Sequence, residues 1–193
     1  MGFAVAATRK EPDLQLDLLL CLPRYAGLWV HTNILAKAIL DDDPECQVVA
    51  TGGDDCYPDP AKRADEIAEE FVAHFGGTLG VMQPKGPTKG HDRCAWAPFM
   101  GREWCERAFG GRGPTDDRFF HNFGDAYLYA VAERLGLLWE RSDLEVEHRK
   151  WNLQPARQRP QHLARAREMW QADKELFERL TAAGWPGSGL APG

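Results

Sequence analysis

Val-Val-Ala-Thr-Gly-Gly-Asp-Asp-Cys-Tyr-Pro-Asp-Pro, residues 48–60, is the stretch on which the fold of this chain turns. A short apolar run ends abruptly in two glycines and two adjacent carboxylates. Residues 47–51 are short and β-branched enough for an interior strand. Gly52 and Gly53 accept backbone angles closed to other residues, and Pro58 and Pro60 prevent a helix from starting at once. The pattern predicts a buried strand that delivers Asp54 and Asp55 to its carboxyl end, where open α/β sheets place their ligands. Neighbouring carboxylates repel, so a buried pair needs a cation or strong donors beside it. A solvated acidic turn needs neither, and the spacing alone is compatible with both.

Outward from this stretch, strands and helices alternate. Residues 14–22 predict a strand closed by Pro23. Residues 27–40 predict a helix, with Leu28, Ile34, Leu35, Ala38 and Ile39 near helical spacing. Asn33 lies in its middle, where a poor helix former suggests a specific hydrogen bond. Residues 65–75 predict an amphipathic helix presenting Ile67, Phe71, Val72 and Phe75, ended by Gly76 and Gly77. A strand over 78–83, stopped by Pro84, leads into a long loop over 85–98, the kind of segment that often binds ligands. A helix is expected over 102–110, carrying Trp104 and Cys105. An aromatic strand over 119–123 is expected to feed a helix over 126–135 with Asp125 at its N-cap, a position such residues favour for purely structural reasons. Trp104 and the aromatics at 119–123 suit either a sugar platform or the core. A short strand over 137–139 and a segment over 143–151, bringing together Glu145, Glu147, His148 and Lys150, complete the first body. Residues 160–183 carry Leu163, Ala166, Met169, Trp170, Leu176, Phe177 and Leu180 at helical spacing, a long helix packed back on the sheet. The expected organisation is one domain over 1–155 with the helix and tail of 156–193 docked on it.

Composition narrows the classes. At 193 residues, 44% hydrophobic and 27% charged, the chain suits a globular protein with a real core. The longest apolar run near the start, 18–22, is far short of the roughly 20 residues that cross a bilayer, and residues 1–10 lack a secretion signal's apolar region. A cytoplasmic protein without membrane partners is therefore expected. Five cysteines, an odd number without a C-x-x-C pair, suggest reduced thiols rather than a disulfide framework or zinc ribbon. The net charge of −6 is unevenly spread: residues 148–167 contain six Lys or Arg and no Asp or Glu. Such a stretch suits either a local phosphate site or a solvated helix face.

Three motifs in this order resemble a known family. The strand ending in Gly-Asp-Asp before Pro-Asp-Pro, the Phe-Gly-Asp-Ala-Tyr-Leu that opens a helix at residues 123–128, and the closing Asp-Leu-x-x-x-His-x-x-Trp at 143–151 look like glycosyltransferases of the GT-A fold, and are most similar to glycosyltransferase family 2. The resemblance covers residues 27–151. It implies a Rossmann-like, mixed but mainly parallel sheet flanked by helices, shortened at the N-terminus, where only residues 14–22 stand for the family's opening strand–helix–strand unit. It also implies a nucleotide-sugar donor such as a UDP-sugar, and a divalent metal, manganese or magnesium. Asp54 would contact the nucleoside, Asp55 and His148 the metal, and Asn33 and Lys150 would complete the donor site. Asp125 would be the general base of an inverting transfer to a hydroxyl acceptor. Ala126 and Tyr127 stand where relatives carry further acidic residues, and Lys150 stands where they often carry a second histidine. A lysine ammonium can itself screen a diphosphate.

Two alternatives accompany this expectation. A phage-type DNA glycosyltransferase acting on hydroxymethylated bases would use the basic stretch at 148–167 for its acceptor. A catalytically silent nucleotide-sugar-binding module would account for the incomplete motifs.

Overall fold

The computed structural model describes residues 6–8, 16–19, 25–52, 56–58, 61–85, 93–148, 161–184 and 189–190. Its main body is an α/β arrangement. Strands β3 (Val48–Ala50), β6 (Phe99–Gly101), β5 (Val81–Lys85), β7 (Leu138–His148) and β4 (Cys56–Pro58) form a five-stranded sheet in that order. Helices α1 (Leu28–Asp42), α2 (Ala64–Phe75), α3 (Arg102–Gly111), α4 (Gly124–Arg134), α5 (Gln161–Glu168) and α6 (Trp170–Ala182) flank it.

Period-two alternation in the strands sorts the core into two layers. Val49, Val81 and Met100 belong to one apolar cluster with Trp29, Trp104, Leu128, Leu176 and Leu180. Their strand neighbours Val48, Met82 and Phe99 belong to the other, with Ile67 and Phe71. Helix α2 therefore covers one face, and α1, α3, α4 and α6 the other. Helix α2 starts where the Glu66 carboxylate accepts the Arg63 N–H at 3.2 Å, and it ends at Gly76 in the left-handed conformation (φ 65°), the end its sequence predicts.

Several expectations need correction. The sheet is mixed but not mainly parallel: among the described strands β5 and β7 are the one parallel pair, while β3–β6, β6–β5 and β7–β4 are antiparallel. Near the start, β2 (Leu16–Leu19) pairs with β1 (Ala6–Thr8) in a separate two-stranded sheet and does not join the main one. Strand β5 runs through Pro84 to Lys85, because its ladder with β6 ends at Met82 and its pairing with β7 carries on. The expected short strand at 137–139 and the part of the 143–151 segment up to His148 are joined as β7, and residues 149–151 lie outside the described residues. A bulge, Pro84 opposite Arg141 but Lys85 opposite Glu145, bends β7 as it passes from β5 to β4. The expected aromatic strand at 119–123 is an irregular loop.

Helix α1 is rotated from the face its apolar residues suggest. Leu28 and Ile34 are exposed, whereas Trp29, Asn33, Ala36 and Leu40 are buried. Asn33 decides this. Its Oδ1 accepts the Thr115 N–H at 3.0 Å and the Thr115 hydroxyl at 2.7 Å, and its Nδ2 donates to the Thr115 carbonyl at 2.9 Å. Asn33→Ala would strand these groups in a place where Thr115 is 1% exposed. It is expected to destabilise the fold by about 3 kcal/mol, since each buried polar group left unpaired costs about 1–3 kcal/mol. Urea unfolding checks this, and a loss below about 0.5 kcal/mol would show the contact to be dispensable.

Candidate functional site

Asp54, Asp55 and Lys150 lie outside the described residues, as does the side chain of His148. The residues bracketing the two aspartates are described, and they converge. Gly52 lies against Cys56 so closely that a Cβ on the glycine would stand 3.2 Å from the Cys56 Cβ. Cys56, the residue after Asp55 in the sequence, is the ladder partner of His148, with Tyr57 opposite Glu147 and Pro58 opposite Val146. The bend in β7 is what carries His148 to this position.

Asp125 is reached from the same region. The Thr51 N–H donates to the Pro98 carbonyl at 3.0 Å, and the Ala95 N–H donates to the Asp125 carbonyl at 3.0 Å. Three residues of chain, at most about 11 Å when extended, separate those two anchors. Asp125 is not the N-cap of α4. That place belongs to Phe123, in the left-handed conformation with φ 63°. Asp125 is the second helical residue, half-buried, and its Oδ1 accepts the Ala126 N–H at 2.9 Å. A helix start favours negative charge there.

Asn33 does not join this group. All three of its hydrogen bonds go to Thr115, so the residue expected to help hold the donor instead ties α1 to the loop before Asp116. Trp104 is fully buried and donates its indole N–H to the Pro114 carbonyl at 3.0 Å, and Phe119 is fully buried. Both are core. Within the basic stretch, Arg165 pairs with Glu168 at 2.6 Å and lies 5.9 Å from the Phe120 ring centroid. That guanidinium is exposed, and both contacts are within the chain.

Comparison with family models, with curated proteins and with solved structures returns no match.

A second charged group lies elsewhere on β7. An open depression of about 570 Å³ is lined by Glu70, His74, Trp139, Glu140, Arg141 and Asp143. Arg141 is 5% exposed; it grips Asp143 through two bonds of 2.8 Å and Glu70 through one of 2.7 Å, and its guanidinium stands 4.6 Å from the Trp139 ring centroid. Its hydrogen bonds hold the Asp143 carboxyl down at about 2 and that of Glu70 below the ordinary range, while the carboxylates raise Arg141. With its polar groups mutually satisfied, this cluster locks α2 to the bulged part of β7. Among the described residues, no three of His, Cys, Asp and Glu are grouped to hold a metal ion. No described helix is long and apolar enough to cross a membrane.

The carboxylate that holds the loop before α4 carries no motif. Asp173 of α6 is 2% exposed and accepts the N–H groups of Phe120, His121 and Asn122. Beside it, the Tyr25 hydroxyl and His121 Nδ1 are 2.8 Å apart, and burial followed by the Asp173 charge raises the Tyr25 pKa. The polarity of residue 173 within an otherwise apolar helix stripe is the one sequence signal that could have found it.

Proposed function

We propose that this chain is a nucleotide-sugar-dependent glycosyltransferase with a GT-A-like arrangement, transferring a sugar to a hydroxyl acceptor. One observation carries the reading: Cys56, next to Asp55 in sequence, pairs with His148 across the β4–β7 ladder. His148, which the family resemblance assigns to the donor's cation, thus stands at one edge of the sheet beside the residue that follows Asp55, more than ninety positions away in sequence. The link from Thr51 through residues 95–98 to Asp125 supports a base on the same side.

Asp55 and His148 would hold a divalent cation, a carboxylate oxygen and an imidazole nitrogen being an acceptable ligand set for manganese. When bound, the cation supplies positive charge to the departing nucleoside diphosphate. Asp54 would orient the nucleoside, and Lys150 would add a point charge at the diphosphate. Asp125 would accept the proton of the attacking acceptor hydroxyl. Single displacement at the anomeric carbon inverts its configuration.

The reading is tested by the melting temperature of the purified protein against a panel of nucleoside diphosphate sugars, with and without manganese, followed by measurement of nucleoside diphosphate release with candidate acceptors. A ligand that binds only the folded state raises the melting temperature according to its concentration over its Kd. At least one donor should do so, and Asp55→Asn should remove the manganese-dependent part of the shift and abolish release, because an amide loses the charge a hard cation requires. Absence of a shift with every donor, metal present or absent, would overturn the proposal.

A further inference from the structure

We propose that Asp173, on the C-terminal helix α6, is a positioning residue for Asp125, acting through the loop at residues 120–122. The inference rests on the glycosyltransferase reading above. That loop forms no strand, so its polar backbone groups must be satisfied from elsewhere. Asp173 supplies the acceptors: Oδ1 takes the Phe120 N–H at 2.8 Å, and Oδ2 takes those of His121 at 3.0 Å and Asn122 at 2.8 Å. The Asn122 side-chain amide adds a bond to Oδ2 at 3.3 Å and one to the Ala166 carbonyl at 2.9 Å. On the other side, the start of α1 supplies donors, with the Leu28 N–H on the Phe120 carbonyl at 2.7 Å and the Trp29 indole N–H on the His121 carbonyl at 3.1 Å.

No slack remains between this loop and Asp125. Phe123 takes the left-handed conformation that non-glycine residues seldom adopt, and such outliers persist only where their surroundings impose them. At Gly124 a Cβ would stand 2.3 Å from the Trp29 indole, so the backbone is pressed against that ring. The direction in which α4 starts, and with it the place of Asp125 in its first turn, follows from where Asp173 holds the preceding three amides.

A role in packing alone would not call for a carboxylate. Leu176 and Leu180 already dock α6 in the core, and an ionised group at 2% exposure is costly unless strongly bonded. A carboxylate can accept at both oxygens, whereas an amide presents a donor at one of them and cannot accept from all three N–H groups in this arrangement.

The test compares Asp173→Asn with Leu176→Val, a change that loosens the same helix without touching the loop. Both are assayed at a temperature where each is folded, as verified by circular dichroism. Asp173→Asn is expected to lower kcat about 10-fold or more, with KM for the donor within about twofold, since a displacement of about 1 Å costs up to about 100-fold in rate. Leu176→Val should keep the wild-type kcat. If Asp173→Asn fails to fold, Asn122→Ala, which removes the side-chain bond to Asp173, should reproduce the kcat loss in weaker form. Equal kcat in wild type and Asp173→Asn, or equal losses in Asp173→Asn and Leu176→Val, would overturn the role of Asp173 while leaving the glycosyltransferase reading intact. In the fallback case, wild-type kcat in Asn122→Ala would do the same. Absence of donor binding and turnover in the wild type would overturn both.

Discussion

On the glycosyltransferase reading, Asp125→Asn is expected to lower kcat for sugar transfer by about 10²–10⁴-fold, the range a positioned general base contributes, while nucleotide-sugar affinity stays near that of the wild type. The substitution is nearly isosteric. Its amide oxygen can still accept the Ala126 N–H that Oδ1 now accepts at 2.9 Å, and the backbone bond from Ala95 at 3.0 Å does not involve the side chain. These two bonds at the start of α4 are therefore kept. What the amide cannot do is take a proton from an acceptor hydroxyl. Steady-state kinetics together with an independent donor Kd separate the outcomes. A loss confined to kcat identifies a group used in the chemical step. An unchanged kcat would place the base elsewhere. A joint loss of stability and donor binding would reduce Asp125 to a residue that stabilises its helix.

Gly101→Ala is expected to destabilise the fold by about 3 kcal/mol or more, a magnitude reserved for changes that force backbone apart. Gly101 ends β6 and precedes the first residue of α3 with ordinary dihedrals (φ −72°, ψ 157°), so conformational freedom is not why glycine is needed. Space is the reason. A Cβ there would lie 1.9 Å from the Thr78 carbonyl oxygen and 2.8 Å from the Phe71 ring. The Thr78 carbonyl cannot retreat cheaply, because it accepts the Trp104 N–H at 3.3 Å while the Thr78 hydroxyl accepts the Glu103 N–H at 3.2 Å. Gly101 itself donates to the Gly80 carbonyl at 3.2 Å and faces Val48 in the ladder. One methyl group would disturb the start of α3, the β3–β6 pairing and the α2 layer together. Urea unfolding should show a lower midpoint at constant slope. A shift equivalent to less than about 0.5 kcal/mol would mean that the close approach relaxes freely.

Local patterns were enough for the elements whose partners are near in sequence. The α2 helix could be read from Ile67, Phe71 and Phe75 at helical spacing and from Gly76 as its left-handed end, because a 3.6-residue period and a C-terminal glycine are properties of the chain itself. The helix after Gly124 was legible for the same reason; the strand before Gly52 was legible as a strand but not in its place, since it was expected in the interior and β3 is an edge strand with Val49 alone buried. As a poor helix former in mid-helix, Asn33 signals a specific hydrogen bond, but nothing local names Thr115 as the partner that supplies it.

Where a group's partner is distant in sequence, only the tertiary structure decided. Residues 119–123 have the aromatic, β-rich composition of a strand, yet one carboxylate some fifty residues later satisfies the N–H groups of 120–122 and makes an irregular loop possible. The face of α1 that is buried follows from the Asn33–Thr115 contact rather than from the helix's own apolar stripe. Strand directions depend on which edges meet, so a resemblance that implied a mainly parallel sheet gave way to one parallel pair among antiparallel ones. The pairing of Cys56 with His148 arises from a bulge in β7 that no local pattern announces. By itself the sequence determined an α/β chain with its distinctive carboxylates at Asp54, Asp55 and Asp125. Which of these regions share an edge, and what holds the start of α4, were decided by hydrogen bonds and packing between segments far apart in the chain, because such contacts leave no period in the sequence.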